Sequence, residues 1–185
     1  MPRPLLPLLA TVLSALAVSA HATDGTVDFQ GSVYLNTCFV SVNGVKAPGV
    51  ATVTLATLST SLLATAGKTA GDTTFKINLT GCTPSQLGGN HGVIDFFEQN
   101  SFVDGGTGLL KNSGTATNVG LQLVDAFNGT PIRAGDENQK TTSTRYGVNY
   151  PDGTAELHYA VRYYATGPTT AGTVRGTVTY SIDYQ

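Results

Sequence analysis

The chain has 185 residues, 41% hydrophobic and 12% charged, with a formal net charge of −2. That is one ordinary domain's worth of sequence, and the charge lacks the basic footprint a nucleic-acid partner requires. Twenty-two glycines, two cysteines and no tryptophan, against charged residues at about half the usual quarter, describe a β-rich chain and exclude a four-thiolate zinc site.

The first segment is an export signal. Arg3 precedes an apolar run from Leu5 to Val18, and Ala20-His21-Ala22 fits an A-x-A cleavage site. The run is shorter than the roughly 20 residues a spanning helix needs, and no later segment is apolar enough to span a membrane. Residues 1–22 are therefore expected to be removed, leaving 163 residues and a net charge of −3. Export places Cys38 and Cys82 in an oxidising compartment, where a lone pair reads as a disulfide.

Downstream, apolar residues recur with period two, the signature of strands with one buried face. Val27, Phe29, Gly31, Val33 and Leu35 form one row; Cys38, Val40 and Val42 a second; Val53 and Leu55 a third. A weak helical signal lies at Leu58–Leu63. Phe75, Ile77 and Leu79 lead into Gly81-Cys82. Val93–Phe97 is a short apolar run, and Val119, Leu121 and Leu123 alternate up to Asp125. Asn128-Gly129 then predicts a two-residue hairpin turn before Ile132, and Asp152-Gly153 another between Tyr146–Tyr150 and Glu156–Thr166.

The last row is the most regular. Val174, Gly176, Val178, Tyr180, Ile182 and Tyr184 occupy even positions, and Arg175, Thr177, Thr179, Ser181 and Asp183 the odd ones. Such a strand has one dry and one wet face. Nothing later in the sequence is available to pair with its outer edge. Seven or eight short strands with regular turns predict an all-β, immunoglobulin-like sandwich.

A search for reaction chemistry returns nothing. No G-x-S-x-G or phosphate-cradling loop is present. After signal removal only His91 and His158 remain, both in settings that read as solvated surface. Asp136-Glu137 are sequence neighbours, which do not face a common substrate, and read as a polar loop. No enzyme, cofactor or metal is expected.

Several segments together resemble the pilins of chaperone–usher fimbriae, the type 1 major subunit above all. Gly25-Thr-Val-Asp-Phe-Gln-Gly31-Ser-Val33, with Cys38 shortly after, is similar to the family's N-terminal extension. Asn78-Leu-Thr-Gly-Cys82 is similar to its second cysteine segment, and Ala116–Asp125 to a central strand. Arg162-Tyr-Tyr-Ala-Thr-Gly167, Gly172 and Tyr184 are similar to its C-terminal signature.

The resemblance implies an incomplete immunoglobulin-like sandwich (pilin fold) lacking its final strand, over residues 37–185. It implies a donor-strand extension at 23–36, in which Val27, Phe29 and Val33 insert side chains and Gly25 and Gly31 allow close backbone approach. Gly172, Val174, Val178, Tyr180, Ile182 and Tyr184 would edge the groove and bind the chaperone, with a second edge near Cys38–Val42. Implied partners are neighbouring subunits in a homopolymer, a periplasmic chaperone and an outer-membrane usher. The implied place is a fimbrium on a Gram-negative cell, without stable membrane insertion.

Alternation alone does not say which molecule pairs with Val27–Val33; it fits an ordinary first strand equally well. Two other functions compete: a monomeric carbohydrate-binding sandwich using Tyr146 and Tyr150, and a minor adaptor pilin.

Overall fold

The computed structural model describes residues 38–83 and 92–184. The signal segment, the proposed extension (Gly25, Val27, Phe29, Gly31 and Val33 included) and His91 lie outside the described residues.

Among the described residues, ten strands and two short helical turns follow one another along the chain. They are β1 (Phe39–Val42), β2 (Val45–Lys46), a 3-10 turn (Thr60–Leu63), β3 (Thr69–Thr80), β4 (Gly92–Phe97) and β5 (Leu110–Lys111). Then come β6 (Val119–Asp125), β7 (Pro131–Ile132), α1 (Gln139–Thr142), β8 (Tyr146–Gly147), β9 (Ala155–Ala165) and β10 (Tyr180–Tyr184).

The strands form two antiparallel sheets. One runs β2-β1-β3-β9-β6-β5, with β7 also on β6; the other runs β10-β4-β8. Inward-facing side chains of both build one main core, in which Ile77, Leu79, Val93 and Leu157 are wholly buried. Tyr159 is its largest fully buried side chain, with Phe97 edge-on at 5.3 Å and Phe75 tilted at 5.7 Å. Leu63, Ala116, Val119 and Ala165 form a smaller cluster. This is the expected all-β, incomplete immunoglobulin-like sandwich.

Alternation located β1, β6 and β9 closely, and the short apolar run Val93–Phe97 located β4, which is buried along its whole length. β3 begins six residues before the Phe75 row, and its start is irregular: the pairing with β9 shifts register between Ala70 and Thr73. There Gly71 has φ +74°, and a Cβ on it would meet Leu58 Cδ1 at 2.7 Å. That break hides the strand's first half from a period-two reading.

Both predicted two-residue turns are longer. Asp125 and Thr130 close a four-residue turn, in which the Asp125 carboxylate accepts the Phe127 and Asn128 N–H groups. Asn149 and Thr154 bridge around the second. The true two-residue hairpin is Asn43-Gly44, between the paired Val42 and Val45, with φ of +46° and +85°. Positive φ at both positions is what a type I′ turn needs.

Cys38 and Cys82 are bonded, with Cα atoms 4.5 Å apart. The bond ties the start of β1 to the residues just beyond β3, already neighbours through the pairing of Phe39 with Thr80.

Candidate functional site

The predicted C-terminal strand is strand only over its last part, β10 (Tyr180–Tyr184); residues 173–179 before it run beside the 112–116 loop and Glu98, with one satisfied edge and one outward edge. Odd-numbered residues bond inward along the molecule: Arg175 C=O accepts from Ser113 N–H, Thr173 C=O from Ala116 N–H, and Thr179 C=O from Glu98 N–H. Further on, Tyr180 sits opposite Phe97, whose N–H and C=O turn away to Gln139 and Gly135. In an extended chain the main-chain groups of successive residues point to opposite sides. The N–H and C=O of Val174, Gly176 and Val178 therefore face away from β4. Among the described residues these groups have no main-chain partner.

The same even positions carry the apolar side chains. Val174, Val178, Tyr180, Ile182 and Tyr184 all pack against the main core, yet each stays only half-buried. Burial holds the Tyr180 hydroxyl proton more tightly than usual, and the nearby Asp95 adds to this. Gly176 lies in line with them; a Cβ there would come within 2.9 Å of Leu121 Cδ1 and 3.3 Å of Leu110 Cβ. Gly172 is exposed, just before this C-terminal segment. A Cβ on it would sit 2.4 Å from Ala116 N, so glycine lets the chain run close against the 112–117 loop.

A second half-buried apolar row exists in residues 51–58. Val53 and Leu55 pack against the main core, while Thr52 and Thr54 are exposed. This stretch belongs to no ladder among the described residues, so the strand predicted on this row is not observed as a paired one. It is tethered by the Tyr163 hydroxyl, which donates to Ala56 C=O at 3.0 Å. By contrast β1, expected as the second groove edge, has β3 on one side and β2 on the other. That expectation is corrected: both of its edges are taken up.

The tyrosines considered for sugar binding are not surface platforms. Tyr146 donates its hydroxyl to His158 C=O at 3.1 Å and packs on the core. Tyr150 also packs there, with its hydroxyl out of contact with solvent. Asp136 and Glu137 pair with Arg133 and Lys140 respectively, as a polar loop would. Among the described residues, no cluster of His, Cys, Asp or Glu is placed to hold a metal ion, and no helix is long and apolar enough to cross a membrane.

The profile of type-1 fimbrial protein A (FimA) matches residues 55–185. The chain belongs to the type-1 fimbrial protein family. It is 41% identical over 177 residues to the major fimbrial subunit SMF-1 of Stenotrophomonas maltophilia, covering 94% of this chain and 99% of that one. It is 36% identical to the F17 fimbrial protein of Escherichia coli over 180 residues, 96% of this chain and 97% of the relative. In fold it is similar to the P pilus rod subunit PapA, with a TM-score of 0.59 at 21% identity, over 81% of this chain and all of that one. The chain is a structural subunit of a surface fimbria of a Gram-negative bacterium, as the resemblance implied.

Proposed function

We propose that this fimbrial subunit polymerises with copies of itself by donor-strand exchange and forms the shaft of an adhesive fibre. One observation carries the reading: two inward-facing apolar rows, 174–184 and 51–58, are left half-covered over an otherwise dry core. An extended strand laid between them would cover both rows and meet the outward main-chain groups of Val174, Gly176 and Val178. Strand addition of this kind gains affinity from main-chain hydrogen bonds and specificity from alternate side chains.

The donor is the segment Asp24–Leu35 of the next subunit. Val27, Phe29 and Val33 enter between the rows, and Gly25 and Gly31 let the backbones close up. Each inserted side chain contributes about 1.5–3 kcal/mol by burial. A periplasmic chaperone holds the same groove first, against Val174–Tyr184, and an outer-membrane usher receives the complex. The second edge is 51–58 in place of Cys38–Val42. The 41% identity to a protein named as a major fimbrial subunit supports a shaft role over that of a minor adaptor.

Replacing Phe29 with Asp in the full chain tests this. Fibres should disappear while the complex with the chaperone is still recovered from the periplasm. Normal fibres from that variant would overturn the donor assignment.

A further inference from the structure

One carboxyl is drawn into the centre of the sandwich. Asp95 lies in β4, on the face it shares with Val93 and Phe97, and is 1% exposed. Its cross-strand neighbour on β10 is Ile182. From the opposite sheet, Tyr159 of β9 donates its hydroxyl to Asp95 Oδ1. Asp95 Oδ2 is out of contact with solvent and has no hydrogen-bond partner.

The groups around it give an ionised carboxylate little support. β9 presents Tyr159, β10 presents Tyr180, and β8 presents Tyr146. The end of β6 presents Asp125, a second acid, itself engaged by the N–H groups of Phe127, Asn128 and Thr144. β3 contributes the apolar ring of Phe75 against Tyr159. From α1, the Gln139 amide is committed to the Phe97 main chain. Lys140, Glu98, Glu137 and Asp183 line a separate hollow of about 410 Å³ with Phe96 and Ser181. Among the described residues no cation acts on Asp95.

We propose that Asp95 is a proton-operated latch between the two sheets. With its carboxyl neutral, β4 and the β10 strand on its edge close dry against Tyr159. With the carboxyl ionised, water is drawn into that seam and the seam loosens. The step is a proton exchange with solvent: the Asp95 O–H bond breaks, the proton goes to water, and no other covalent bond changes. Burial lifts the carboxyl to about 7, only partly offset by the Tyr159 hydrogen bond, so the latch works across ordinary external pH. The folded chain then holds a proton that the unfolded chain has released above the ordinary carboxylate value of 3.8. Stability from this group is complete below that value and is lost as pH rises to about 7. One proton corresponds to a change of up to tenfold per pH unit in the folding constant.

The test is denaturant unfolding of the purified full chain from pH 5 to 9, beside Asp95→Asn and Tyr159→Phe. The wild type should lose stability from pH 5 to 7, and Asp95→Asn, neutral at every pH, should lose that slope. Tyr159→Phe removes the side-chain hydrogen bond that favours the ionised carboxyl and should move the midpoint upward. A folded Asp95→Asn variant with the wild-type slope would overturn the proposal. If that variant does not fold, infrared difference spectra of the wild type decide. A protonated-carboxyl band lost with a midpoint near 7 supports the latch, and its absence at pH 5 overturns it.

Discussion

The Gln139 side chain stands in for a missing strand beside Phe97. Its Oε1 accepts from the Phe97 N–H at 2.8 Å, and its Nε2 donates to the Phe97 C=O at 3.1 Å. β8 pairs with β4 only at Gly92 and Val93, so an amide in α1 completes the far end of that edge. Gln139 is 2% exposed, and water does not replace it. Gln139→Leu keeps the volume but orphans the Phe97 N–H; its C=O keeps Gly135 N–H. The expected loss is about 1–3 kcal/mol, read as a lower denaturant midpoint at unchanged slope.

Gly153 holds the turn before β9 against the disulfide. Its C=O accepts from the Cys82 N–H at 3.0 Å, its φ is +63°, and a Cβ on it would lie 2.4 Å from Cys82 O. Left-handed backbone alone costs a side-chain-bearing residue about 1–2 kcal/mol, and the clash adds to it. Gly153→Ala should therefore lower the melting temperature clearly, whereas Gly44→Ala, with open space around it, should show the backbone cost alone.

The disulfide closes a loop of 44 positions. Chain-entropy arithmetic assigns about 4 kcal/mol to a loop of that length. The double variant Cys38→Ser with Cys82→Ser should unfold at much lower denaturant concentration and accumulate poorly in the periplasm. A midpoint equal to that of the wild type would contradict this assignment.

Gly176 tests the groove from the subunit's side. Valine there drives against Leu121 and Leu110 and should displace the strand's even-numbered edge. Fibre yield should fall at least tenfold (about 1.4 kcal/mol in assembly). Thr177→Val, on the exposed phase, is the control and should leave fibres intact. Counting fibres by electron microscopy separates the two outcomes.

The Tyr163 hydroxyl tethers segment 51–58 through the Ala56 carbonyl. Tyr163→Phe should cost about 0.5–1.5 kcal/mol and speed amide hydrogen exchange in residues 53–58. Unchanged exchange there would show that the row is held by side-chain packing alone.

Much of the fold was legible because a half-buried strand writes its inward face into every second residue. β6 and β9 were readable for that reason, and so was the even-numbered row ending at Tyr184. What failed to show were features without a period. β2 and β5 have two residues each, and α1 has four. The Asn43-Gly44 turn was available as a dipeptide between two valines and was the signal that would have found β2.

Asp95 marks the clearest limit. In sequence it interrupts the apolar run Val93–Phe97 and looks like any surface acid. Its burial depends on Tyr159, 64 positions away, and no local pattern contains that distance. The half-buried row at 51–58 has the same character. Val53 and Leu55 announce a strand, but which edges remain open depends on β2 folding back along β1.

The amino-acid sequence by itself determined the β class, the one possible disulfide and the resemblance to pilins. These rest on composition, on period-two alternation and on residues held in order along the chain. Only the tertiary structure decided which edges of those strands are spoken for, which tyrosines are buried, and which carboxyl is shut away from water. Edge pairing and burial are set by residues distant in sequence that the two sheets bring into contact, and the dielectric around a side chain exists only once those sheets have closed.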